Sequence, residues 1–310
     1  MAQLDSGKTV DPFGEVNVFT EPDGRIRVKA TILMRPHVEG AQTGLAIDGS
    51  NSMTQNFGVS GAVSSLFGAS NNIVQPVART MAKYLANFDS DGNTTVIYWA
   101  CGVGGGDIQE LGDMNEENAA SFEFAPPKKL GTGTQLLPAI KYFTEAKFPF
   151  APWAIYVFIT DGAIEDLESV KAYSLQLARE ISQGKRNYTK FVLIGLGVEA
   201  ERHKHQMEEL DDLNYGGLKY DNGDEIELWD HKMASDMRRL EEIFAEAVSE
   251  KMILAPSAAI TDSNGQEVLP KGRASYADGL PALLEFTMPA GSRLFSVSLP
   301  TGQNITQPIV

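Results

Sequence analysis

Four short runs in the middle of this chain are strand-like, apolar and free of internal charge: TGLAID (43–48), TTVIYWAC (94–101), WAIYVFIT (153–160) and KFVLIG (190–195). Strands of that composition are buried on both faces, an arrangement that a parallel sheet covered by helices provides. Between and after them lie stretches with helical spacing at 72–88, 135–146, 164–182, 200–213 and 232–252. The expected fold class is therefore α/β, a doubly wound and mostly parallel sheet. EIELW (225–229) reads as a further strand and DIQEL (107–111) as an edge strand, with GVGGGD turning a hairpin before it. In the last helical stretch Met233, Met237, Leu240, Ile243, Phe244, Ala247 and Val248 share one stripe, read as core.

The two ends read differently. VNVFTEPDGRIRVKATIL suggests two strands joined at PDG, and after about residue 255 extended runs return, separated by SNG, ADG and PAGS turns. Neither flank carries enough apolar surface to fold alone. The expected organisation is an N-terminal β flank at 1–39, an α/β domain at 40–252 and a C-terminal β flank at 253–310. The two flanks are expected to pair into one smaller, all-β, sandwich-like domain.

Composition narrows the functional classes. A net charge of −15 over 310 residues repels nucleic-acid phosphates and anionic lipid heads. No apolar run approaches the length needed to span a bilayer, and the first residues lack a basic start with an apolar segment. The lone Cys101 is read as a core thiol in a reducing compartment. A cytoplasmic location, with neither nucleic acid nor membrane insertion, is the expectation.

Polar groups of one chemical kind stand at the carboxyl ends of the apolar runs, where open α/β sheets bind ligands. These are Asp48, Ser50 and Ser52 in AIDGSNSM, Thr134 in GTGTQLLPAI, and Asp161 in VFITDG. Two carboxylates and three hydroxyls form an all-oxygen set suited to a hard divalent ion: Mg2+, Mn2+ or Ca2+. Alternate spacing in DGSNS places its three acceptors on one side of an extended backbone. Turn formation and helix capping are the competing explanation for DGSNS, and Thr134 stands where an N-cap hydroxyl is expected. Thr132 of the same GTGT run is the alternative to Thr134. Glu165 and Asp166 either hold a second ion or occupy the first turn of a helix. The Gly/Ser-rich stretch 54–71 reads as a surface loop beside the site.

The pattern D-x-S-x-S, then a threonine, then a strand-terminal T-D-G resembles the metal-ion-dependent adhesion site (MIDAS) of von Willebrand factor type A domains. The resemblance covers roughly Gly40 to Met252, and within the family it is nearest to bacterial intracellular members found with tellurite-resistance and stress proteins. It implies a Rossmann-like domain in which Ser50, Ser52 and Thr134 bind Mg2+ directly, while Asp48 and Asp161 act through water or the serines. It further implies a non-enzymatic module for a stress-response or assembly complex, whose partner protein supplies an Asp or Glu carboxylate to the ion. The enzymatic alternative is a Mg2+-dependent phosphatase or hydrolase using Asp48 as nucleophile. Aspartyl-phosphate chemistry wants a second carboxylate two residues on, and that position is Ser50. Zinc at His203 and His205 is disfavoured, because residues two apart on a helix face different ways.

Overall fold

The computed structural model describes residues 2–4, 8–10, 12–32, 40–59, 71–220, 225–235, 253–272, 274–277 and 279–309. In chain order the strands are β1 Ala2–Gln3, β2 Phe13–Thr20, β3 Ile26–Ile32, β4 Gln42–Asp48, β5 Thr94–Cys101, β6 Asp107–Met114, β7 Trp153–Thr160, β8 Tyr188–Gly195 and β9 Trp229–Met233. They continue with β10 Ile253–Ala255, β11 Ala259–Asp262, β12 Leu269–Pro270, β13 Leu280–Pro281, β14 Leu283–Met288, β15 Leu294–Ser298 and β16 Asn304–Pro308. The helices are α1 Val74–Phe88, α2 Glu116–Ser121, α3 Leu137–Lys141, α4 Leu167–Ser182 and α5 Val198–Asp211. The chain divides into two compact units, one of Met1–Glu39 with Arg239–Val310, the other of Gly40–Arg238.

In the unit made from both ends, a five-stranded antiparallel sheet runs β1-β2-β3-β14-β12 and a three-stranded one runs β11-β15-β16. A pair, β10-β13, completes it. β3 and β14 join the ends in register, Leu283 opposite Thr31 through Met288 opposite Ile26. Alternation along β14 buries Leu284, Phe286 and Met288 on one face. Phe295 of the three-stranded sheet meets Phe13 and Phe286 of the five-stranded one edge to face, with centroids 5.1 Å apart in each case.

The other unit holds a six-stranded sheet of order β6-β5-β4-β7-β8-β9. β4, β5, β7, β8 and β9 run parallel, and β6 pairs antiparallel with β5. Every residue of β5 and β7 is buried, since helical elements lie on both faces. The Thr43 hydroxyl reaches the Leu85 carbonyl of α1 on one face. The other face packs so closely that a Cβ on Gly44 would stand 2.4 Å from the Phe143 ring. Trp229 anchors the edge strand by donating its Nε1–H to Ser174 Oγ of α4 at 2.8 Å.

These observations correct the expected fold class. With sixteen strands against five α-helices among the described residues, the chain is mostly β rather than a doubly wound, mostly parallel, Rossmann-like α/β protein. Three of its four sheets are antiparallel and the fourth is mixed. The physical reason lies in the flanks, whose short alternating runs contribute ten of the strands. The last expected strand is also displaced. It forms at Trp229–Met233, whereas Glu225 makes only an isolated bridge to Lys219. The expected helix 135–146 divides into α3 and a π-helical turn, Tyr142–Lys147. Residues 236–252 of the expected last helix and 60–70 of the Gly/Ser-rich stretch lie outside the described residues. No described helix is long and apolar enough to cross a membrane.

Candidate cation site at the carboxyl edge of the six-stranded sheet

The two segments that leave the sheet after β4 and β7 are tied by backbone hydrogen bonds to the GTGT loop, which precedes α3. Past Asp48 the chain stays extended, and residues 49–51 lie beside the GTGT loop: Gly131 N donates to Gly49 O and Asn51 N to Gly131 O, each at 2.9 Å. Glycine is required at 131, because a Cβ there would fall 1.7 Å from the Ala100 carbonyl oxygen. The same loop holds the segment after Asp161, with Glu165 N donating to Thr134 O at 2.9 Å. Gly162 turns the chain away in the left-handed region at φ +103°.

The carboxylates differ in what satisfies them. Asp48 is fully buried at the end of β4. Its Oδ1 accepts from Ser50 N and its Oδ2 from Thr160 Oγ1, both at 2.8 Å. Asp161 is 1% exposed, and no hydrogen bond of good geometry from a described residue reaches either of its oxygens. The Ser52 hydroxyl lies close enough to favour its charged form. Ser50 Oγ and Ser52 Oγ are 2.8 Å apart, and the cluster opens to solvent at Ser52. Thr134 is buried within the tied loop.

Burial, and secondarily the charge of Asp161, pushes Asp48 up to about 7 against the opposing bonds from Ser50 and Thr160. Burial also raises Asp161, with Ser52 and His203 acting in the other direction. Two neighbouring carboxylates out of water resist joint ionisation unless a cation stands with them. Among the described residues no three or more His, Cys, Asp or Glu side chains group to hold a metal. What this edge offers is two carboxylates with hydroxyls, a hard-oxygen set.

The two threonines separate. Thr132 is exposed and accepts from Gly104 N at 2.8 Å, whereas Thr134 faces inward. Thr134 is not the helix cap: α3 begins at Leu137, and the Asp166 carboxylate takes the Leu136 and Leu137 N–H groups at 2.8 and 2.9 Å. Asp166 therefore serves a helix other than the one it precedes. Glu165 is exposed, with a carboxylate oxygen against the Gly133 backbone. His203 and His205 lie on α5 with ring centroids 6.4 Å apart. Cys101 is buried, its thiol raised to about 11 by burial and then by Asp48.

One residue and one role escaped the sequence reading: Thr160 itself, and the capping of α3 by Asp166, which was read as a second-ion ligand or a first-turn residue of the following helix. Thr160 was visible in T-D-G yet carries no sign that it reaches across to β4. Asp166 serves a partner 30 residues upstream, which local spacing cannot reveal.

Comparison with known proteins corrects the family expectation. No family model matches the chain, and no curated protein matches it. Among solved structures it is similar to the PilB minor pilin of Streptococcus sanguinis, at 12% identity and TM-score 0.43 over 75% of this chain and 76% of that one. It is also similar to the pilus adhesin SpaC of Lactobacillus rhamnosus GG in its open conformation, at 9% identity and TM-score 0.36, covering 95% of this chain. The chain spans 46% of that adhesin. Membership of the von Willebrand factor type A family, with its MIDAS and its stress-associated subgroup, is accordingly withdrawn. Withdrawn with it is the module that engages a partner's Asp or Glu through Mg2+, which rested on that membership. The alternative of a hydrolase with Asp48 as nucleophile fails on geometry: the carboxylate is fully buried and both its oxygens are occupied.

Proposed function

We propose that this is a non-catalytic structural or adhesive protein carrying one hard divalent cation, Mg2+, Mn2+ or Ca2+, at the carboxyl edge of its six-stranded sheet. Asp48, Ser50, Ser52, Thr134 and Asp161 are the residues that would hold it, directly or through water. The observation supporting the reading is Asp161, a buried carboxylate with two unsatisfied oxygens beside a second buried carboxylate and two hydroxyls. A buried charge left so is costly, and a divalent ion removes the cost. No base faces a nucleophile here, since Ser50 Oγ meets another hydroxyl.

Calorimetric titration of the whole chain with Mg2+, with Mn2+ and with Ca2+ at pH 8 tests the site. One saturable site, lost in Asp161→Ala, is expected. Absence of saturable heat with all three ions, or unchanged binding in the variant, overturns the reading.

A further inference from the structure

We infer that Thr160, the last residue of β7, is a positioning residue that sets the relation between the two carboxylate-bearing strands; the inference rests on the cation-site reading. Its hydroxyl donates to Asp48 Oδ2 at 2.8 Å and accepts from Gly162 N at 3.0 Å. A hydroxyl has one hydrogen to give and lone pairs to receive, so one atom serves both strands at once. β4 ends on Asp48 and β7 leads into Asp161, so that atom spans the gap between the carboxylates.

Thr160 is completely buried, and no water replaces the hydroxyl without space being made for it. Without it, Asp48 Oδ2 loses its hydrogen-bond donor and the Gly162 N–H its acceptor, both in the interior. Asp48 then turns about the bond that Ser50 N makes to Oδ1, and the turn after Asp161 loses its tether. Residues that orient ligands in this way change metal affinity by roughly 10–100-fold when removed. Thr160 thus couples the geometry of Asp48 to that of Asp161 without being a ligand.

The test compares Thr160→Val, which keeps the shape and removes the hydroxyl, with Thr160→Ser, which keeps the hydroxyl and removes a methyl. Thr160→Ala stands in should the valine variant not fold, and melting curves in chelator establish that each variant is folded. Expected is a loss of Mg2+ affinity of roughly 10–100-fold in Thr160→Val, with Thr160→Ser within a few-fold of the unaltered chain. Equal affinity in the valine variant and the unaltered chain overturns the inference and leaves the cation site standing. Equal losses for serine and valine also overturn it, since packing and not the hydroxyl would then be responsible. No binding of Mg2+, Mn2+ or Ca2+ by the unaltered chain overturns both readings together.

Discussion

Each end of the six-stranded sheet buries an aspartate whose pKa is driven up to about 7, and the two ends handle the charge in opposite ways. At the amino end, Asp89 follows α1 and meets the start of β4. Its Oδ2 accepts from Thr43 N at 2.7 Å, with the Thr43 hydroxyl, whose one hydrogen is shared with the Leu85 carbonyl, at 3.2 Å, and its Oδ1 accepts from Asp91 N at 3.2 Å. That carboxylate is a structural clamp whose acceptors are used within the chain. At the carboxyl end, Asp48 is satisfied but sits against Asp161, whose two oxygens are not. Burial and a raised pKa are common to both ends; unmet acceptors distinguish the end proposed to hold a cation.

The contrast breaks most readily at the level of binding. Asp161→Ala is expected to weaken Mg2+ binding by on the order of 100-fold or more in calorimetry, and Asp89→Ala to leave it unchanged. A comparable loss in both variants would erase the distinction.

Stability in chelator should reverse the ranking. Asp89→Ala strands the Thr43 N–H in the interior and is expected to cost about 1–3 kcal/mol in urea melts. Asp161→Asn removes an unpaired buried charge and should leave the protein at least as stable at pH 8 as the unaltered chain.

Acidity sharpens the comparison further. Asp48 and Asp89 hold protons in the folded state at pH values where unfolded aspartates, at 3.8, have released them. Their contribution is fully present below about pH 4 and is lost as pH rises towards about 7, at up to roughly 1.4 kcal/mol per pH unit for each group. Saturating Mg2+ should flatten the share from the carboxyl edge, and Asp89→Asn the share from the amino edge. A pH dependence of stability left unchanged by saturating Mg2+ would contradict the assignment at the carboxyl edge, and one left unchanged by Asp89→Asn the assignment at the amino edge. The smallest contrast is between neighbours: Thr134→Val should reduce Mg2+ affinity by roughly 10-fold, and Thr132→Val by less than about 2-fold.

The strands of the sheet were legible because burial on both faces leaves an unambiguous composition. Thr94–Cys101 and Trp153–Thr160 form at the boundaries their apolar runs set, and the GVGGGD run turns the hairpin into β6. What misled was weighting the middle of the chain. The flanking runs are short, alternating and individually weak, yet they make the chain mostly β. At the site, the types and order of the polar residues were readable, but which side chain satisfies which was not. Capping of α3 falls to Asp166 instead of Thr134, a long-range pairing that local spacing does not encode. The family expectation had the same weakness, since a few scattered motif residues were asked to stand for a whole domain.

During synthesis, Ile26–Ile32 leaves the ribosome roughly 250 residues before Leu283–Met288, the strand it will lie against. At ordinary elongation rates that is a wait of about 10–50 s. Gly40–Arg238 is translated entirely within that interval, so the inserted unit has time to complete itself while the first hairpin stands with one margin uncovered. Arg27 and Lys29 on that margin discourage stray strand addition in the meantime, and Arg27 meets Glu285 only once the far end of the chain arrives.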